Sequence, residues 1–97
     1  MFQLQQTDVF GRWLSDLRDL RAKARILARL ESVRIGNLGD AQSIGDRVSE
    51  LRIDVGAGYR VYFTRCHRIV IVLLCGGDKS TQSKDIARAK LMAREVE

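Results

Sequence analysis

The chain has no proline, one histidine, one tryptophan and two cysteines in 97 residues. Without proline there is no cis-proline switch and no proline-rich linker. One histidine and two separated cysteines offer no metal-ligand spacing, so no metal site is expected. Cys66 and Cys75 sit at opposite ends of one proposed strand, which places them roughly 30 Å apart at a strand rise of about 3.3 Å per residue. A disulfide needs Cα atoms within about 7 Å. Two free thiols are therefore expected, and they fit a reducing cytoplasm. The apolar run Ile69–Cys75 is far too short for a bilayer, which takes roughly 20 residues. The opening MFQLQQTDVF lacks the basic and apolar regions of a secretion signal. No Ser-His-Asp or Cys-His set is present, and no carboxyl pair is placed for acid–base work. The expectation is a cytoplasmic protein with no membrane partner and no small-molecule cofactor.

What is present is ordinary for a globular protein: 45% hydrophobic and 30% charged residues. The length suits one domain, residues 1–97, with one modest core. Seventeen Lys and Arg against twelve Asp and Glu give a formal net charge of +5. On so small a domain this favours a polyanionic partner, whether nucleic acid, ribosome or acidic protein. A basic protein that is merely soluble has the same balance.

Phe2–Gln6 alternates apolar and polar and reads as a short strand. Thr7 or Asp8 can cap a helix in which Val9, Phe10, Trp13, Leu14 and Leu17 form one stripe. A second helix is predicted from about Ala22 to Val33, with Ile26, Leu27, Leu30 and Val33 inward. Arg21, Lys23, Arg25, Arg29 and Arg34 then face largely outward. The short link suggests a helical hairpin. Residues 35–45, with three glycines, read as a loop. From Glu50 the period becomes two. Leu51, Ile53 and Val55 point one way, Glu50, Arg52 and Asp54 the other. After a Gly56-Ala57-Gly58 turn, Tyr59, Val61 and Phe63 share the core face, opposite Arg60, Tyr62 and Thr64. Cys66-His67-Arg68 makes the next turn. Ile69–Cys75 is apolar on both faces and reads as a covered central strand, ended by Gly76-Gly77. A last helix starts near Ser80–Ser83, with Ser83 as cap and Ile86, Ala89, Met92 and Ala93 inward. The predicted class is α+β, a small antiparallel sheet with an N-terminal helical hairpin and a C-terminal helix, in the order β-α-α-β-β-β-α.

Arg52 and Arg60 stand on the non-core face of neighbouring strands. Cross-strand neighbours lie about 5 Å apart and diagonal ones about 7–8 Å, so the like charges repel. Two arrangements relieve this: ion pairs with Glu50 and Asp54, or an anion between the arginines, for which the guanidinium fork suits phosphate. The turn GGDKSTQSK adds Lys79 and Lys84 at one end of the sheet. Its glycines allow close backbone approach, and the following helix start offers free N–H groups. It lacks the glycine spacing of a Walker loop. Tyr62 shares the Arg60 face, where it could stack on a base or donate a proton. Trp13 and Tyr59 are assigned to the core, and His67 to an exposed turn.

The segments GDRVSELRIDVGAGYRVYF (Gly45–Phe63) and LLCGGDKSTQSKDIARA (Leu73–Ala89) resemble the RelE/HigB superfamily of toxins, within the subgroup of phage-derived, addiction-module killer proteins. The resemblance runs nearly end to end and includes the element order. It implies a RelE-like fold and the toxin of a type II toxin–antitoxin pair, a ribosome-dependent endoribonuclease that cuts mRNA. The RNA 2′-hydroxyl attacks the adjacent phosphate, so no metal is needed. Arg60 would stabilise the pentavalent phosphate and Arg52 would hold a neighbouring one. Lys79 and Lys84 would neutralise charge or shuttle protons, with Tyr62 as acid or stacking residue. The implied partners are a cognate antitoxin, of helix-turn-helix type, and mRNA on the ribosome. The chain departs from relatives in having no histidine near the cluster and no tyrosine in the C-terminal segment, which leaves acid and base unassigned. The ParE branch of the superfamily, which inhibits DNA gyrase without cutting RNA, is the alternative.

Overall fold

A computed structural model of the chain describes residues 1–96. The elements follow in the order β1 (Gln3–Gln6), α1 (Asp8–Asp16), α2 (Leu20–Arg34), β2 (Ala41–Gly45), β3 (Val48–Ile53), β4 (Tyr59–Arg65), β5 (Val70–Asp78), a 3-10 turn (Lys79–Thr81) and α3 (Gln82–Ala93). The class is α+β, as the sequence predicts. One five-stranded sheet has the order β1-β5-β4-β3-β2. Four strands form an antiparallel meander, and β1 joins β5 in parallel, Gln3 opposite Val70 through Gln6 opposite Leu73.

Local chemistry sets the helix boundaries. The Thr7 hydroxyl accepts from the Phe10 N–H at 3.0 Å, and the Asp19 carboxyl from the Ala22 N–H at 3.0 Å. Each satisfies a first-turn donor that has no partner within its helix. The α1 stripe packs on the sheet, with Phe10 fully buried and Trp13, Leu14 and Leu17 around it. Ile26, Leu30 and Val33 of α2 join the same cluster, beside Leu51, Ile53, Val61, Phe63, Ile71 and Leu73. Leu27, expected inward, is half exposed.

The second face is closed as well. Val48, Tyr62, Val72, Leu74 and Cys75 pack with Ala89 and Ala93 of α3, and Ile86 and Met92 flank them. The face that carries Arg60 and Tyr62 is thus not a solvated surface. The domain has three layers: α1 and α2, the sheet, then α3.

Three local expectations need correction. Residues 41–45 are an edge strand, held by pairing to β3 although their composition is that of a loop; cross-strand partners outweigh weak strand propensity. Asp46 and Arg47, both at positive φ (53° and 65°), make the two-residue turn that leads into β3. The pair Gly76-Gly77 does not end the last strand, because β5 continues to Asp78. A bulge, where the register to β4 shifts between Tyr62 and Phe63, turns Leu74 and Cys75 toward the same layer. Finally, Asp78 rather than Ser83 caps the turn into α3, its carboxyl accepting from the Ser80 N–H at 2.8 Å.

Candidate active site

The strand register brings two of the predicted site residues face to face. Arg52 of β3 is directly opposite Arg60 of β4, and Arg60 is opposite Gly77 of β5. Beyond them a groove of about 200 Å³ is lined by Asp40, Arg52, Asp54, Arg60 and Lys79. The Lys79 stem reaches it by lying over Gly58, where an added Cβ would come within 3.0–3.1 Å of the lysine carbons. Gly58 also has φ +79°, so glycine serves both the hairpin turn and the lysine's path. Arg52, Arg60 and Lys79 therefore share one groove. Lys84 does not line it and stands exposed in the first turn of α3.

The two arginines are held differently. Arg52 is half exposed, and its Nε and Nη2 both donate to Asp40 Oδ1, at 3.1 and 3.0 Å. The partner comes from the loop before β2, not from Asp54. Arg60 is 8% exposed. Its Nη1 donates to the Tyr59 carbonyl at 3.3 Å, and its Nε lies 3.9 Å from Glu50 Oε1. That separation is too long for a hydrogen bond, and among the described residues Arg60 Nε is a buried donor with no hydrogen-bond partner. Leaving such a donor unsatisfied costs about 1–3 kcal/mol, more for a charged group.

Glu50, 2% exposed, is the hub behind Arg60. Its Oε2 accepts from the Tyr62 hydroxyl at 3.2 Å and from Gln82 Nε2 at 2.9 Å. Burial, and next the neighbouring Glu50, hold the Tyr62 phenol well above its ordinary pKa. Tyr62 is completely buried. The expectation that it stacks on a base or donates a proton to substrate is corrected accordingly: its ring has no exposed face, and its hydroxyl is spent on Glu50.

The glycine pair has a different purpose from the close ligand approach expected of it. A Cβ at Gly76 would strike the six-membered ring of Trp13, and one at Gly77 would strike the Asp85 carboxyl. The two glycines admit α1 on one side of β5 and α3 on the other. Asp85 is buried and accepts from the Thr81 hydroxyl at 2.5 Å. Burial, and then Asp85, push the Cys75 thiol up to about 11. Of the basic α2 side chains, Arg29 is structural: it donates to the backbone carbonyls of Arg52 and of Leu38, the latter at 3.0 Å. Sequence reasoning missed that role, and it missed Asp40 and Gln82 at the site. Only Glu50, by its alternation with Arg52, left a trace in the pattern.

Among the described residues, no group of three or more His, Cys, Asp or Glu side chains converges as a metal site, and no helix is long and apolar enough to cross a membrane.

The architecture that frames this groove is RelE-like. A chain of the E. coli RelBE toxin–antitoxin complex superposes with a TM-score of 0.53 at 16% identity, covering 80% of this chain and 96% of that one. At that identity the likeness concerns the fold alone. In sequence, an uncharacterized protein of Haemophilus influenzae is 53% identical over 94 residues, 97% of this chain and 95% of its own length. The chain belongs to the same family as that protein. No protein-family model matches the chain.

Proposed function

We propose that the protein is the toxin of a type II toxin–antitoxin pair and a metal-independent endoribonuclease of the RelE/HigB kind, in the phage-derived killer subgroup, acting on mRNA at the ribosome. The observation that carries this reading is that Arg52, Arg60 and Lys79 line one groove, with Arg60 held from behind by the buried Glu50. A non-bridging phosphate oxygen would be received by the part of the Arg60 guanidinium that lines the groove. Arg60 then stabilises the charge that builds up as the RNA 2′-hydroxyl attacks phosphorus. Arg52 exchanges Asp40 for an adjacent phosphate, and Lys79, exposed at the mouth, neutralises the leaving side. Lys84 contributes charge from outside the groove, toward the flanking RNA. The nucleophile belongs to the substrate, so alignment and electrostatics supply most of the acceleration. The RelE-like fold supports a toxin with an antitoxin as partner; the helix-turn-helix type of that antitoxin and the cytoplasm as the place of action rest on the sequence reading. A gyrase inhibitor that cuts nothing has no evident need for Arg52, Arg60 and Lys79 in one groove, so the ParE-like alternative is not favoured.

Growth arrest after brief expression, with primer extension on cellular mRNA, tests the proposal. Arg60→Ala should lower cleavage about 100–1,000-fold, the cost of one lost donor to a developing oxyanion, while the protein stays folded by circular dichroism. Full arrest by a folded Arg60→Ala protein, or arrest without discrete cuts in translated messages, would overturn it.

A further inference from the structure

A second groove lies one strand away from the first. Its volume is about 220 Å³, and Val9, Arg12, Trp13, Asp16, Gly76 and Arg88 line it. It sits where α1 and α3 flank β5, beyond the point at which β1 stops pairing, since the parallel ladder ends at Gln6 and Leu73. Its floor is Gly76, on which the Trp13 ring rests. Arg12 projects from α1 and Arg88 from α3, and among the described residues neither has a carboxyl oxygen within salt-bridge distance. Two arginines without ion pairs among the described residues and a partly exposed indole are thus gathered at one spot from two helices.

Pockets that engulf a whole small ligand run from roughly 300 to 1,000 Å³. At 220 Å³ this groove suits one group of a longer molecule. An indole beside guanidinium forks is the pairing that holds single-stranded nucleic acid, because every base has a flat face and every nucleotide a phosphate. The register sets the distance: Gly76 pairs with Val61, and its neighbour Gly77 with Arg60. Gly76 faces α1 and Gly77 faces α3, so the grooves open on different sides of β5, and an RNA of several nucleotides that passes the edge of β5 left open beyond Leu73 can reach both.

We infer that this groove is a subsite for a nucleotide flanking the one held at Arg60, its base against Trp13 and its phosphates on Arg12 and Arg88. This rests on the reading of the Arg60 groove as an RNA site. Asp16 on the rim repels phosphate and accepts from an exocyclic amino group, so bases that carry one are preferred there.

Trp13 is the only tryptophan, so its emission, excited at 295 nm, reports on this groove alone. A six-nucleotide RNA titrated into the purified protein at low salt should quench it, and an adenine- or cytosine-containing sequence should do so at lower concentration than oligouridylate. The double variant Arg12→Gln/Arg88→Gln should lose the quench and should reduce the slope of log affinity against log salt by about 2, one per phosphate contact removed. Arg60→Gln should keep the quench. Absence of quenching in the wild-type protein, or equal quenching in the double variant, overturns the subsite. Quenching by an acidic peptide and not by RNA also overturns it, in favour of a protein partner. If Arg60→Gln retains both the quench and growth arrest, the subsite stands and the catalytic reading of Arg60 falls.

Discussion

The two faces of the sheet are both covered, and they are covered for different reasons. Against α1 and α2 the contacts are apolar: Leu51, Ile53, Val61 and Phe63 meet Phe10, Ile26 and Leu30. Against α3 the apolar residues Val48, Leu74 and Ala89 are interrupted by Glu50, Arg60, Tyr62, Thr64 and Asp85, all buried. Apolar burial yields stability in proportion to area. A buried polar set contributes little net stability, and breaking it halfway is expensive. The first face holds the fold together, and the second spends stability to keep groups in fixed positions beside the groove.

The comparison breaks most visibly at Glu50. Glu50→Ala strands the buried Arg60 and should destabilise by about 3–5 kcal/mol. Glu50→Leu/Arg60→Met/Tyr62→Phe removes the three linked groups Glu50, Arg60 and Tyr62 together, and its thermal midpoint should be restored or exceed wild type while growth arrest is lost. A triple variant as unstable as Glu50→Ala would mean that the polar face stabilises the fold after all. Arg29 comes next. Arg29→Ala leaves the Arg52 and Leu38 carbonyls without their charged donor and should cost about 1.5–3 kcal/mol, whereas Arg25→Ala, at an exposed position, should stay within about 0.5 kcal/mol. Equal urea midpoints would contradict the contact. Gly77→Ala drives a methyl into Asp85 and should cost about 1–3 kcal/mol as overpacking, read as a shifted urea midpoint at unchanged slope. The smallest effect concerns Cys75. Burial raises its thiol to about 11, so at pH 8 the folded protein holds it protonated and alkylation should be slow. Modification should quicken as pH rises toward 11 or when urea is added. Rapid labelling of native Cys75 at pH 8 would show that α3 lifts readily from the sheet.

Much of this was legible in the sequence where a period repeats. Leu51, Ile53, Tyr59, Val61 and Phe63 face the core as alternation requires, and the α1 stripe is where helical spacing puts it. Arg52, Arg60 and Lys79 do meet, because period two and a tight hairpin leave few other arrangements. What escaped notice depends on partners distant in sequence. Ala41–Gly45 is a strand only because β3 lies beside it. Gly76-Gly77 reads as a turn until two helices are seen to press on it. Tyr62 reads as exposed because Arg60 and Thr64, which share its strand face, are polar, yet the small residues Ala89 and Ala93 bring α3 down onto it. The apolar stripe of α3 was visible, but nothing local shows that it lands on the arginine face.

The pairing of β1 with β5 has a consequence for the order of assembly. The first strand made must wait for the last, across a loop that includes every other strand. Non-local closure of this kind is slow, although its entropic cost grows only by about 0.6 kcal/mol per doubling of length. Until β5 slots between β4 and β1, Arg52 and Arg60 can stand on a completed hairpin with no Lys79 beside them, no α3 above and no Glu50–Gln82 bond behind. The groove is among the last parts of the domain to exist. A nascent chain therefore carries Arg52 and Arg60 without an assembled groove through nearly all of its own translation.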